Sequence, residues 1–251
     1  VRKVGTPNEL AEKYYNEGVD EIIYLDVVSS LYNKPIDLNC ISNFAMKKFI
    51  PLAVGGGIKS LSDAEKLFHN GADKIVINSL VGGNMDIIDT IVAELGSQCV
   101  LASVDIKKVK NNYKVFTENG TVEQNCTVQE WLQKLVEVPV GEVYLNSIDR
   151  DGTGQGYQKE LVDFIPDDFQ LPVILSGGAG KYQHFIDKLE DKKVDAVATA
   201  HLFNFIGNSL EDSRTELLNR GFNLAKWDVS ICESIKDCFS ANVNYQNDDK
   251  D

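Results

Sequence analysis

Two glycine-rich segments have the residue types and the position expected of phosphate-binding turns. VGGGI (54–58) and LSGGAG (175–180) each follow a predicted strand and precede a predicted helix. Glycines let backbone N–H groups approach a ligand closely, and a helix N-terminus adds partial positive charge. Either cluster could instead only make a tight turn, but two at equivalent positions of an internal repeat favour phosphate binding. Two such sites on opposite sides of one opening suit an elongated ligand with a phosphate at each end.

Four aspartates at or just beyond predicted strand ends could carry acid–base chemistry: Asp26, Asp105, Asp149 and Asp151. Asp105 directly follows the apolar segment VLASV (100–104). An acid at that position can act as a general base or acid if its surroundings adjust its pKa, although it could equally cap the following loop. Asp149 and Asp151 lie in a polar loop, where an Asx turn is the competing interpretation for at least one of them.

Three charged residues open predicted strands at the opposite end: Glu21, Lys74 and Glu142. Taken alone, they are most simply interpreted as a solvated rim on the face that contributes stability rather than chemistry.

The elements that position these residues alternate regularly. Short apolar segments rich in Val, Ile and Leu predict buried parallel strands at 21–27, 50–56, 74–79, 99–106, 142–148, 172–178 and 195–200. Amphipathic stretches between them predict helices at 8–18, 60–71, 84–96, 127–138 and 182–192. Residues 113–123 alternate apolar and polar around an Asn-Gly pair, which predicts a hairpin.

An internal repeat defines the architecture more closely. Residues 24–44 align with 144–164, and residues 54–79 align with 175–200, at an offset of about 120 in both cases. Two similar halves predict an α/β fold of the (βα)₈ TIM-barrel type, with its sites at the carboxyl ends of the strands. A doubly wound open sheet is the alternative, but it does not predict a half-and-half repeat.

Composition excludes several classes of function. The 251-residue chain has 25 Lys and Arg against 38 Asp and Glu, a net charge of −13. This balance argues against a nucleic-acid or anionic membrane partner. No apolar run of about 18 residues and no signal-peptide pattern are present. Five cysteines and three histidines have no zinc-like spacing. We therefore predict no metal, no cofactor and a reduced, cytoplasmic protein.

Six motifs together resemble the cyclase subunit of imidazole glycerol phosphate synthase: DEIIYLD, VGGGI, GADKIVINS, SVDIK, NSIDRDGTGQGY and SGGAG. The resemblance extends over about residues 2–227. It implies a (βα)₈ barrel enzyme of histidine biosynthesis that receives ammonia from a partner glutaminase subunit. The ammonia adds to an aminoimidazole carboxamide ribonucleotide bearing two phosphates. Cyclisation and cleavage then release imidazole glycerol phosphate and an aminoimidazole carboxamide ribotide.

The resemblance also implies roles for individual residues. Asp105 corresponds to a catalytic aspartate of the family. Glu21, Lys74 and Glu142 correspond to a charged ring at the base of the barrel where ammonia enters, which replaces the solvated-rim interpretation. Substrate- or phosphate-binding positions correspond to Asp26, Gly57, Asn78, Asp151, Gly152, Ser176, Gly177, Gly178, Ala200 and His201.

The sequence departs from the family pattern in several places. The family's first strand, which carries a second catalytic aspartate, has no counterpart, so we expect an N-terminally incomplete sequence that is inactive as it stands. A seven-stranded inactive relative is the less favoured explanation. We expect a barrel domain over residues 1–228 and a poorly ordered tail over 229–251. Asn146 stands where the family usually has Thr, and His201 where it usually has Ala or a small hydroxyl residue.

Two further functions remain open at this point. Similar barrels occur in surface-polysaccharide gene clusters, where they help a glutaminase-like partner to amidate a sugar. The chain could also be a non-catalytic scaffold for a glutaminase, although a scaffold has no need of Asp105 and both glycine clusters.

Overall fold

The computed structural model describes residues 5–32, 34–46, 50–200 and 209–225. The predicted site residue His201 and the predicted tail at 229–251 lie outside the described residues. Ala200 is described and exposed.

A single sheet forms the centre of the described structure. Its parallel strands run in the order β1-β2-β3-β4-β7-β8-β9. They are β1 Ile22–Leu25, β2 Leu52–Gly55, β3 Lys74–Ile77, β4 Val100–Val109, β7 Glu142–Ser147, β8 Val173–Ser176 and β9 Ala196–Ala198. Two antiparallel strands, β5 Asn112–Thr117 and β6 Val122–Glu123, attach to β4.

Helices follow most of the parallel strands and pack on one side of the sheet. They are α1 Pro7–Asn16, α2 Val27–Tyr32, α3 Leu38–Ala45, α4 Leu61–His69, α5 Ser79–Gly83, α6 Met85–Leu95, α7 Val128–Glu137, α8 Glu160–Asp163, α9 Tyr182–Leu189 and α10 Ser209–Asn219. Their start signals are explicit in places. Thr6 and Glu9 form a capping box at α1, and Thr127 and Glu130 form another at α7. None of these helices is long and apolar enough to cross a membrane.

The α/β barrel prediction is confirmed. The strands are parallel, alternate with helices and follow one another around a curled sheet in chain order. A doubly wound sheet would reverse direction part-way along the strand order, which this sheet does not do. The prediction of full burial is wrong for β1 and β9, which are half-buried or exposed along their length. They are the two edges of the described sheet, so each packs against a neighbour on one side only.

The internal repeat is visible as a repeated set of backbone contacts. Asp73 precedes β3, and its carboxylate accepts a hydrogen bond from Leu52 N at 2.9 Å while its own N–H donates to Leu52 O at 2.8 Å. Asp195 makes the same pair of contacts with Val173, at 2.8 and 3.0 Å. The same aspartate device therefore sets the strand register at equivalent points of the two halves.

The hairpin differs from its prediction in extent. Asp105 does not end its strand, because β4 continues to Val109 and pairs with β5 from Asp105↔Phe116 to Val109↔Asn112. The returning chain then turns at residues 118–121 into the short β6. This extension carries the turn at 118–121 over the carboxyl ends of the parallel strands, where it contributes to the site described below.

Gly71 and Gly221 provide a matched test of the packing between helices. Each glycine follows a helix and has a positive φ, 98° at Gly71 and 83° at Gly221. In both cases, the glycine and the residue after it donate backbone hydrogen bonds to the last turn of the helix. A Cβ at Gly71 would collide with Ala45 Cβ, whereas a Cβ at Gly221 would meet nothing within 4 Å.

We expect Gly221→Ala to lower the free energy of unfolding by about 1 kcal/mol, the cost of a left-handed backbone in a residue with a Cβ. Gly71→Ala should lower it by about 3 kcal/mol, because the α3–α4 contact must also open. Urea unfolding followed by circular dichroism measures both. Equal losses of unfolding free energy in the two variants would show that α3 moves away from residue 71 at Ala45 without an energetic cost.

Candidate active site

The inner face of the curled sheet is built by strict alternation along its strands. In β7, Glu142, Tyr144 and Asn146 are half-buried and face the interior, whereas the residues between them are buried towards the helices. The neighbouring strands are parallel, so the residues that begin them lie at one end of the interior and the residues that end them lie at the other. The interior consequently has three layers: a charged base, an apolar middle and a polar top.

Lys74 organises the charged base. Its Nζ donates to Glu21 Oε2 at 3.0 Å and to Glu142 Oε1 at 2.7 Å, joining β3 to the start of β1 and to β7. Burial lowers the pKa of Lys74, but the hydrogen bonds to both carboxylates outweigh that effect and raise it. Burial raises the pKa of Glu21, against the opposing effect of Lys74. The structure thus brings together the three residues predicted to form the base ring.

The middle layer is apolar except for one hydroxyl. Ala53, Val76, Leu101 and Ile174 form a separate cluster inside the sheet. Tyr144 packs against it, and its hydroxyl shares a hydrogen bond of 2.6 Å with Ser176 Oγ. Burial is the main reason that the pKa of Tyr144 is raised to about 12. Tyr144 is therefore neutral and acts as a hydrogen-bonding wall between the base and the top.

Asp105 is the central group of the polar top. Its Oδ1 accepts from Asn146 Nδ2 at 2.9 Å, and its Oδ2 accepts from Asn78 Nδ2 at 3.3 Å. Burial raises the pKa of Asp105, the hydrogen bond from Asn146 opposes this, and the nearby carboxylate of Asp151 adds to the rise. A carboxyl group with a raised pKa can exchange protons closer to neutral pH than an ordinary aspartate.

A cavity of about 680 Å³ opens above Asp105. Five of the residues predicted for the site line it together: Asp26, Gly57, Asn78, Asp105 and Asp151. Gly56 and Gly57 form the first glycine turn, residues 55–57, with φ of 129° and 61°. A Cβ at Gly56 would collide with the carbonyl of Asp26, so a glycine is required where the turn crosses the end of β1.

The carboxylate of Asp26 has a local structural role. Its Oδ1 accepts from the backbone of Val28 and Ser29 at 3.0 and 2.9 Å, and its Oδ2 accepts from Ser29 Oγ at 2.9 Å. These bonds satisfy backbone donors at the start of α2. Asp26 therefore borders the cavity but uses its oxygens to shape the loop.

The turn at residues 118–121 forms part of the cavity wall. Glu118 N donates to Ser79 Oγ at 3.2 Å, and Asn119 Nδ2 donates to Val27 O at 3.4 Å. Both residues have a positive φ, of 51° and 56°. The turn thus connects the loops that follow β3 and β1 across the cavity.

The second glycine turn, residues 176–180, lies outside the wall of this cavity. It packs against the loop at 150–156: Gly156 N donates to Gly178 O at 2.7 Å, and a Cβ at Gly178 would collide with Gly156 O. Gly177 has no room for a Cβ beside Ser147 O, at 2.6 Å. The predicted positions Gly152, Ser176, Gly177, Gly178 and Ala200 do not line the cavity that holds Asp105, although Ser176 and Gly177 lie against its wall residues Tyr144 and Asn146.

Sequence reasoning did not assign site roles to Asn146, Tyr144 and the 118–121 turn. The first two follow from period-two alternation from Glu142, a signal present in the sequence. The turn could not be placed, because its position depends on how far β4 continues. Among the described residues, no group of three or more His, Cys, Asp or Glu side chains could hold a metal ion.

The fold and the site together define a barrel of βα units with its polar site at the carboxyl ends of the strands. Residues 1–207 match the family model described as "Histidine biosynthesis protein". The chain is 40% identical over 200 residues, 80% of each chain, to imidazole glycerol phosphate synthase subunit HisF of Sulfolobus acidocaldarius. It is 37% identical to the HisF subunits of Chlorobium phaeovibrioides, over 224 residues, and Clostridium botulinum, over 226, with 89% of each chain covered. The chain belongs to the histidine biosynthesis protein family, as these relatives do.

Lys74→Met tests the electrostatic balance of the base. Burial already raises the pKa of Glu21, and without the opposing ammonium group this folded-state pKa should rise further. Stability gained from protonating Glu21 is present at low pH and lost as pH rises through the folded pKa. We expect Lys74→Met to lose about 2 kcal/mol of unfolding free energy at pH 8 and much less at pH 5.

Lys66→Met is the matched control, because Lys66 is 60% exposed and lies 3.9 Å from Asp63 on the outside of α4. It should cost less than about 0.5 kcal/mol at either pH. Urea unfolding at the two pH values provides the comparison, and a pH-independent loss in Lys74→Met would contradict the charge argument.

Proposed function

We propose that this chain is the cyclase subunit of imidazole glycerol phosphate synthase and acts in histidine biosynthesis. It would take ammonia and a bisphosphorylated aminoimidazole carboxamide ribonucleotide, and release imidazole glycerol phosphate and an aminoimidazole carboxamide ribotide. The observation that carries the proposal is the half-buried carboxylate of Asp105, whose pKa is raised by burial, at the floor of a cavity that a glycine turn also lines.

Asp105 is the proposed general acid–base group. Burial of a carboxylate away from water is costly, and its two amide partners offset that cost only in part. A fold gains no stability from such a group, so its presence favours a chemical role over a pure scaffold. The sugar-amidating alternative would have to use the same group on a different substrate.

The first glycine turn is the proposed seat of one phosphate. Gly56 and Gly57 line the cavity together with Asn78, which starts the chain towards α5. Backbone amides can bind phosphate without lysine or arginine, which suits a chain with a net charge of −13. We assign the second phosphate to the turn at 176–180 with Gly152 and Ala200, as the resemblance implies. His201 is included in that assignment by sequence alone.

The charged base is the proposed entry point for ammonia from a partner glutaminase. Lys74, Glu21 and Glu142 lie at the amino ends of the strands, and the apolar middle layer separates them from Asp105. Neutral ammonia crosses an apolar layer far more readily than ammonium, because burying an unpaired charge is costly. We place the reaction in the cytoplasm, which is supported by the free thiols of Cys40, Cys99 and Cys126.

Asp105→Asn tests the proposed chemistry. The amide has a similar shape but cannot accept and return a proton, so kcat with ammonium salt and the bisphosphate substrate should fall by about 100-fold or more. The Kd of the substrate, measured by calorimetry, should stay within several-fold of the unsubstituted protein. Asp89→Asn, exposed on α6, serves as the control and should change neither value.

The outcomes separate the three functions. Turnover by the full-length protein that Asp105→Asn abolishes supports the cyclase. Binding of the bisphosphate by the full-length protein without turnover points to the scaffold, and absence of binding points to the sugar-amidating protein. Lost affinity with normal turnover at saturation would remove Asp105 from the catalytic role.

Lys74→Met also tests the proposed coupling to the glutaminase partner. In the complex, turnover driven by glutamine should fall by about tenfold, whereas turnover driven by free ammonium should stay within about threefold. The two rates are measured by product formation at saturating bisphosphate substrate. Lys66→Met is again the control. Equal losses of both rates would make Lys74 a structural residue only.

A further inference from the structure

Two amide groups hold the carboxylate of Asp105, one on each oxygen. Asn146 Nδ2 is 2.9 Å from Oδ1, and Asn78 Nδ2 is 3.3 Å from Oδ2. The two contacts are unequal in length, and Asn78 Nδ2 also donates to Ser103 O at 3.1 Å. Asn146 therefore makes the shorter of the two bonds and supplies the main donor to the carboxylate.

The position of Asn146 is fixed by the sheet. Asp105 and Asn146 are directly paired in the parallel ladder between β4 and β7. On its other side, Asn146 Oδ1 lies beside Gly177, where an added Cβ would be only 3.2 Å away. The amide is thus held between the Asp105 carboxylate and the second glycine turn, with its nitrogen directed towards Asp105.

The amide of Asn146 favours one protonation state of Asp105. An amide nitrogen can donate but cannot accept, so it favours a carboxylate over a protonated carboxyl group. Several other groups either raise the pKa of Asp105 or line the same cavity. Asp151, on the loop after β7, raises the pKa of Asp105, as burial does. Tyr144 lies below it, and the cavity wall also carries Asp26, Lys59 and Glu118.

We propose that Asn146 is the positioning residue that keeps Asp105 an ionised, correctly oriented base for the proton transfer of the cyclase reaction. The inference rests on the proposed function and deepens it, since it assigns the ionisation and orientation of Asp105 to one neighbouring side chain. Asn146 acts through Asp105 and carries no proton itself.

Asn146→Leu removes the donor and keeps the approximate size. A ¹³C NMR titration of the Asp105 carboxyl carbon, assigned with Asp105→Asn, reads its ionisation in the free protein without any turnover. We expect Asn146→Leu to move this titration to higher pH, because burial and Asp151 are then less opposed. Asn112→Leu, an equivalent change at an exposed position of β5, should leave the titration unchanged.

The kinetic measurement follows from the same shift. The acidic limb of kcat/KM should move to higher pH in Asn146→Leu, with a loss of about tenfold on that limb, the effect of one charge-assisted hydrogen bond. Asn146→Thr, whose hydroxyl can donate to Asp105, should recover part of the loss. It also serves as the test if the leucine variant fails to fold.

The two readouts separate this inference from the proposed function. An unmoved Asp105 titration in a folded variant overturns the role of Asn146, whatever the activity. A moved titration in a protein that turns over no bisphosphate substrate supports the contact but overturns the cyclase proposal. A uniform loss of kcat/KM at all pH values, with no recovery in Asn146→Thr, would show a merely structural role.

Discussion

The interior of the curled sheet depends on one constraint: charged groups placed between parallel strands must be paired, because burial removes the water that would stabilise them. Lys74 satisfies this at the base by bonding to two carboxylates, one from β7 and one from the residue before β1. Asp105 satisfies it at the top with two neutral amides instead. The apolar layer between them keeps the two charged centres apart. Each end can therefore have its own chemistry within one narrow space.

The difference between the two ends has a physical meaning. The two carboxylates raise the pKa of Lys74 and so hold it as an ammonium group, which suits a structural role. Amide partners compensate burial only in part, so Asp105 keeps a raised pKa. A group balanced in this way can take up and return a proton during a reaction. The same strands thus support a fixed charge at one end and a titratable one at the other.

Much of this arrangement is encoded locally and was predictable. Apolar runs located the parallel strands, and alternation from Glu142 through Tyr144 to Asn146 places all three on one face. The position of Asp105 after a buried run predicts that it lies at the carboxyl ends of the strands, where the structure has it beside Asn146. What escaped prediction depends on tertiary contacts. The continuation of β4 to Val109 follows from pairing with β5, and the capping role of Asp26 follows from the path of the loop into α2. Neither contact has a periodic signal in the sequence.

The two halves of the repeat have diverged where their loops meet. Asp73 and Asp195 still set strand register in the same way, so the framework of the halves is preserved. The two glycine turns have different surroundings: the first lines the cavity, whereas the second packs against the loop at 150–156. Substitution in the first turn would therefore be limited by Asp26, and in the second by the neighbouring loop. Asn146, whose amide lies between Asp105 and Gly177, connects the polar top of the interior to that second turn.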